Sequence, residues 1–204
     1  GRSRTGGSQA VSIGSSAHRN AGTSNSDVMI GYQAGYYVTG SNNVMIGAQT
    51  GQGPSASAVT SSVYIGKEAG FGTEAGEGSV LIGRKAGYYP TGTFNTFIGS
   101  GAGYGEITTR TAYSNVGVGR EALNDISSGY RNVAIGMYAG KVLTTGYDNV
   151  LLGYEAGLDL TEGYDNVLIG REVAANLTTG NYNTAVGYKA YMTSAGGNRN
   201  TAMG

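Results

Sequence analysis

Few side chains in this sequence could do chemistry, and each can be weighed by the partners it would need. The single histidine, His18 in "SSAHRN", could act as a general base or bind zinc, but both roles require positioned partners. It stands where the chain elsewhere places glycine, and it reads as a surface residue without a catalytic role. Gly101-x-Gly103-x-Gly105 imitates part of a nucleotide loop, yet it lacks the Lys-Ser/Thr of a phosphate loop and the strand-to-helix setting of a dinucleotide fold. Calcium-binding roll repeats carry Asp at every turn, whereas the recurring acids here are only Asp27, Asp148 and Asp165. Asn176-Leu177-Thr178 is a formal glycosylation sequon, a triplet common by chance. The expectation is a protein that is not an enzyme, with no catalytic, metal or cofactor site. Tyr130, Tyr147 and Tyr164, with Tyr182 one residue out of step, are the candidates for ligand contact. A tyrosine column offers apolar faces and polar tips to a glycan. Stacked tyrosines also stabilise neighbouring turns without binding anything.

What positions these residues is a repeat. The phrase Asn-Val-x-Ile-Gly-x-x-Ala-Gly starts at residues 10, 27, 43, 62, 79, 95, 115, 132, 149, 166, 183 and 200, and the spacing settles at 17 residues over the last copies. A fixed period makes each copy one structural unit stacked on its neighbours. Within the phrase, position 4 is always apolar and position 2 is Val or Thr. Two such positions spaced by two lie on one side of a strand, so "NVxI" predicts a short strand with one buried face. The expected structural core is therefore Val28, Ile30, Val44, Ile46, Val63, Ile65, Val80, Ile82, Ile98, Val133, Ile135, Val150, Leu152, Val167, Ile169 and Val186. Position 3, from Ser12 and Gly117 to Tyr64 and Phe97, varies as a looser opposite face would. If the recurring Val and Ile faced water, this assignment would fail.

Glycine follows every strand, at Gly31, Gly47, Gly66, Gly83, Gly99, Gly119, Gly136, Gly153, Gly170 and Gly187 among others. It predicts a tight corner with positive φ or a backbone approach that no Cβ allows. Position 8 is nearly always Ala, so something packs close to it. Position 1 is Asn in most copies (Asn43, Asn95, Asn115, Asn132, Asn149, Asn166, Asn183, Asn200). It is either a stacked amide ladder or a turn residue tolerant of unusual dihedrals. Extra residues fall after position 9, in 52–61 and 104–114, which makes those segments surface loops. The pairs Lys67-Glu68, Arg84-Lys85, Arg120-Glu121 and Arg171-Glu172 lie just past the glycine corner and read as a solvated rim.

Composition agrees with an all-β repeat. The chain has 38 Gly in 204 residues without a strict every-third pattern, which excludes collagen, and its regular β-branched positions argue against disorder. Thirteen basic residues balance thirteen acidic ones, so there is no basic footprint for nucleic acid. No run of 18 apolar residues occurs, so no membrane-spanning helix is expected. The absence of cysteine excludes a disulfide or thiolate-metal framework. The chain starts at Gly1 and stops at Gly204 inside a repeat, which reads as a single repetitive segment, 1–204, of a longer protein. Two aliphatic side chains per copy return much less than ordering some seventeen residues costs. Packing the NVxI faces of several chains around a common axis would narrow that gap, and a parallel homotrimer is the expected assembly.

"NVAIGMYAG" (132–140), "NTAVGYKA" (183–190) and "VSIGSSA" (11–17) resemble the repeats of trimeric β-roll fibres: bacteriophage tail-fibre shafts and, similarly, the heads of trimeric autotransporter adhesins. The resemblance covers the whole chain and is strongest over 132–199. It implies a homotrimeric β-roll, β-solenoid or β-prism, with fibre assembly or host attachment as its role. The expectation is a structural segment of an extracellular appendage, a virion tail fibre or cell-surface fibre, spacing an adhesive tip from its base. The alternatives are an adhesin module that binds cell-surface glycan or receptor through its loops or Tyr column, and a monomeric β-solenoid surface protein. The last predicts a flat ladder of Thr pairs, which the sequence does not display.

Overall fold

Every copy of the phrase forms one three-residue strand, because its β-branched flanks favour extended backbone and the glycine behind them ends it. In the computed structural model, which describes residues 9–20, 25–73, 75–89, 92–105, 111–192 and 195–204, these strands pile up as successive coils of an all-β solenoid with a period near 17. In chain order they are β1 (Val11–Ile13), β2 (Val28–Ile30), β3 (Val44–Ile46), β4 (Ala58–Thr60), β5 (Val63–Ile65), β6 (Ala75–Glu77), β7 (Val80–Ile82), β8 (Thr96–Ile98), β9 (Val116–Val118), β10 (Val133–Ile135), β11 (Val150–Leu152), β12 (Val167–Ile169), β13 (Thr184–Val186) and β14 (Thr201–Met203). All except β4 and β6 join one twelve-stranded parallel sheet, in sequence order. Pairing keeps phrase positions in register, as in Val133↔Val150, Ala134↔Leu151 and Ile135↔Leu152. β4 and β6 form a separate parallel pair.

The two faces of the sheet are the reverse of the sequence expectation. The residue that points into the coil is position 3: Met29, Met45, Tyr64, Leu81, Phe97, Ala134, Leu151, Leu168 and Ala185 are all buried. Val28, Ile30, Val44, Ile46, Val63, Ile65, Val80, Ile82, Ile98, Val133, Val167, Ile169 and Val186 are only half-buried, while Ile135, Val150 and Leu152 are exposed. They form the outer face of the chain's own sheet, not its interior. Alternation decides that positions 2 and 4 oppose position 3; it does not decide which side the chain wraps around. Variation at position 3 reflects compensation between stacked levels. Gly117 leaves the room that the Phe97 ring occupies, since a Cβ there would come within 3.0 Å of that ring. The same coil places Leu123, fully buried, where most copies have glycine.

The interior is completed by the position-8 alanines and by a column the phrase does not include: Ile126, Leu143, Leu160 and Leu177, all buried. The corner glycines named above have φ between +125° and +140°. At Gly66, a Cβ would lie 2.6 Å from the carbonyl oxygen of Gly83 in the next coil, so both conformation and proximity demand glycine. Two residues further on the backbone is left-handed again, now at ordinary residues such as Gln33 (φ +54°), Lys85 (+58°) and Glu155 (+53°). These positions carry no local preference for that region. Inter-coil hydrogen bonds hold them there, as Gln33 N–H to the Ser15 carbonyl and Lys85 N–H to that of Lys67.

Position 1 is an amide ladder. From Asn95 through Asn115, Asn132, Asn149, Asn166, Asn183 and Asn200, each Oδ1 accepts both the backbone N–H and the Nδ2–H of the next asparagine, at 2.9–3.1 Å. The second Nδ2 proton of Asn115, Asn132, Asn149, Asn166 and Asn183 goes to a glycine carbonyl fourteen residues on, closing the bend before the following strand. Upstream, Ser62 and Ser79 replace the amide with a hydroxyl acceptor at 3.2 Å. Asp27 stands at the other end of the row and accepts from Asn43 N–H and Nδ2. Its second oxygen lies 3.4 Å from Nε2 of His18, which is itself only 2% exposed. His18 is thus a buried partner of Asp27, contrary to the surface position its sequence context suggests.

Candidate functional site

Three surfaces of the rod carry side chains arranged for contact. The first is the outer face of the twelve-stranded sheet. Its two columns, positions 2 and 4, run from Val11 and Ile13 to Thr201 and Met203, and every residue in them is aliphatic except Thr96, Thr184 and Thr201 and the terminal Met203. None is charged. With strands about 4.8 Å apart and residues about 3.3 Å apart, the face measures roughly 50 Å by 10 Å. That places roughly 500 Å² of nearly continuous apolar surface in one strip, at the upper end of what monomers leave open to water.

The second surface is the tyrosine column. Tyr113, Tyr130, Tyr147 and Tyr164 stack with centroids 4.8–5.0 Å apart and planes within 5° of parallel, the coil spacing translated into ring spacing. Tyr182 does not join them. It sits edge-on to Tyr164 at 81°, because the residue in register is Asn181, whose Oδ1 accepts the Tyr164 N–H at 2.9 Å. Tyr113 joins the column although the long preceding copy hides it in the sequence; it lies 17 residues before Tyr130. The stacked rings cover one another's faces, so the column presents ring edges and hydroxyls, and the broad apolar faces a sugar would stack on are taken. Arg131 lies 4.6 Å over the Tyr130 ring and chelates Asp148 through Nε and Nη2. Hydrogen bonding from Arg131 holds the Asp148 carboxyl below the usual carboxylate range. A second aromatic row, Phe71, Tyr88 and Tyr104, with centroids 5.1 and 5.2 Å apart, was not legible from the phrase because it lies one residue beyond it.

The third surface is the rim past the glycine corner. Here a cation, a glutamate and a cation of the next coil form a recurring triad: Lys67–Glu68–Lys85, Arg120–Glu121–Lys141 and Arg171–Glu172–Lys189, with N···O distances of 2.8–3.7 Å. These exposed pairs tie adjacent coils but contribute little to stability individually. Of the loops expected from the insertions, 52–61 is partly structured: Ser57 bridges to Val38 and residues 58–60 are β4. In 104–114, residues 106–110 lie outside the described residues; beyond them the Ala112 carbonyl accepts Asn95 Nδ2, and Tyr113 pairs with Tyr130. Among the described residues there is no group of three His, Asp or Glu side chains that could hold a metal, and no helix long and apolar enough to cross a membrane.

Fold and surfaces together define a β-solenoid repeat protein. No family model, curated protein or solved structure matches the chain.

Proposed function

We propose that this chain is a structural rod that assembles as a parallel homotrimer through its outer aliphatic face and serves as the shaft of an extracellular fibre, of the tail-fibre or surface-appendage kind. The observation that carries the reading is the uncharged Val/Ile face running the length of the sheet. Three such faces around a threefold axis remove the same strip from water on every chain, and a closed cyclic assembly leaves none exposed. The roughly 500 Å² of each face, widened by the side chains flanking it, approaches the ~800 Å² per partner of a standard interface. Stiffness follows from the stacked coils, and reach from the ~4.8 Å rise per coil. The resemblance of the phrase to trimeric fibre repeats supports the same assembly.

Sedimentation equilibrium of the purified chain tests this. The expected species has about three times the 20.8 kDa chain mass. A double substitution on the face, Ile135→Lys with Leu152→Lys, should yield monomers that keep the β-type circular dichroism. A wild-type chain that sediments as a monomer at micromolar concentration would sink the proposal.

A further inference from the structure

Three triads recur along the rim, and the coil between the first two of them makes a site. In the coil that begins at Asn95, the two residues after the corner are Ser100 and Gly101, where neighbouring coils carry Arg84-Lys85 and Arg120-Glu121. The missing side chains leave a cleft of about 480 Å³, lined by Tyr104 and Asn124 as well as by the cations of the neighbouring coils. Arg84 and Arg120 project from coils two steps apart, about 10 Å. Both line the cleft; Arg120 is also held by Glu121 and the Tyr138 ring, whereas Arg84 has no ion pair among the described residues and is the side chain most open to an oxyanion.

The charge around the cleft is one-sided although the chain as a whole is neutral. Arg84, Lys85, Arg120 and Lys141 line the cleft, with Glu121 as the one carboxylate among the described lining residues, and that carboxylate is used by Arg120 and Lys141. Arg84 belongs to no triad and has no carboxylate partner among the described residues. Burial pushes the Glu121 carboxyl up, but Lys141 and Arg120 outweigh it and hold it below its ordinary value, as a positive local field requires. Lys85 is held 4.8 Å from the Tyr88 ring and 5.5 Å from the Tyr104 ring, which fixes its ammonium at the cleft wall.

We infer that this cleft binds an acidic saccharide, with Arg84, Lys85 and Arg120 on its carboxylate or sulfate and Ser100 and Asn124 beside its hydroxyls. An aromatic wall, small polar groups and an excess of cations suit a charged sugar; a neutral sugar would give Arg84 no anionic partner. The cleft is on the rim and not on the aliphatic face, so its occupancy does not depend on the oligomeric state proposed above.

Titration calorimetry of the whole chain against a sulfated oligosaccharide, a sialylated oligosaccharide and neutral maltohexaose tests the inference and separates sulfate from carboxylate as the recognised group. Binding of one acidic sugar, weakened at least tenfold between 50 and 300 mM salt, is expected, with no heat from maltohexaose. Gly101→Glu rebuilds the rim pattern of adjacent coils at a position where they hold Lys85 and Glu121 in the same left-handed conformation, so it fills the cleft without breaking the coil. Its Cβ would approach nothing nearer than the flexible Glu121 side chain at 3.3 Å. This variant should lose at least tenfold in affinity, and Arg84→Gln about fivefold, with circular dichroism unchanged. No binding of either acidic sugar, equal binding of maltohexaose, or unchanged affinity in Gly101→Glu would each overturn the assignment.

Discussion

Removing one rung of the amide ladder isolates what holds the coils in register. In Asn149→Ala the backbone N–H still reaches Asn132 Oδ1 at 3.1 Å, but four side-chain hydrogen bonds disappear. Their partners fare differently. Asn132 Oδ1 keeps the backbone donor, and Asn166 Nδ2 keeps the Gly180 carbonyl at 2.8 Å. The Gly163 carbonyl, which received Nδ2 at 2.7 Å, and the Asn166 N–H, which donated to Oδ1 at 3.1 Å, are left without those bonds. Asn149 itself is fully buried, so water does not replace them without opening the coil. At about 1–3 kcal/mol per orphaned buried group, the loss is about 2–6 kcal/mol. Guanidinium unfolding followed by circular dichroism, wild type against variant, measures it. Asn149→Asp adds a sign: it keeps the acceptor and loses both donors, and burial beside two oxygen acceptors raises the folded-state pKa of the new carboxyl. Its stability should therefore approach that of wild type below about pH 4 and fall as pH rises above it. A cost under about 1 kcal/mol for Asn149→Ala, or an Asn149→Asp penalty that grows on acidification, would refute the ladder as a structural element.

The reversal of the faces predicts that Leu168→Ala, inside the coil, costs about 2–5 kcal/mol, whereas Val167→Thr, its outward neighbour, costs less than about 1 kcal/mol because the next coil already carries Thr184 there; denaturant midpoints for the two variants check this, and the opposite order would restore the original assignment. Burial pushes the Tyr64 hydroxyl up to about 12 against hydrogen bonding from Ser62 and Thr73. A raised folded-state pKa stabilises below the ordinary tyrosine value near 10 and loses that contribution as pH climbs through about 12. Spectrophotometric titration should show a late-ionising tyrosine that Tyr64→Phe removes, alongside Tyr88, which burial also raises to about 12.

Much of the architecture is legible from the sequence because repetition converts a local pattern into a global one. The period near 17, the strands at Val28–Ile30 and its equivalents, and a corner glycine such as Gly66 all follow from residue types at fixed spacing, since each coil meets its neighbour in the same register. The sides of the strand were separable, yet their sense was not. Alternation places Val150 and Leu152 opposite Leu151, and only the direction of the bend after Gly153 puts Leu151 inside. That direction is set by left-handed backbone at residues such as Glu155, whose type expresses no preference for it and which inter-coil hydrogen bonds hold in place. Tertiary stacking likewise decided between ladder rung and turn residue for Asn149, set Tyr182 edge-on to the aromatic column, buried His18 against Asp27, and opened a cationic cleft where Ser100 and Gly101 replace longer side chains. Except for His18 and Asp27, nine residues apart but on successive coils, the deciding partner lies roughly one period away along the chain, so no short window of neighbouring residues contains both halves of the interaction.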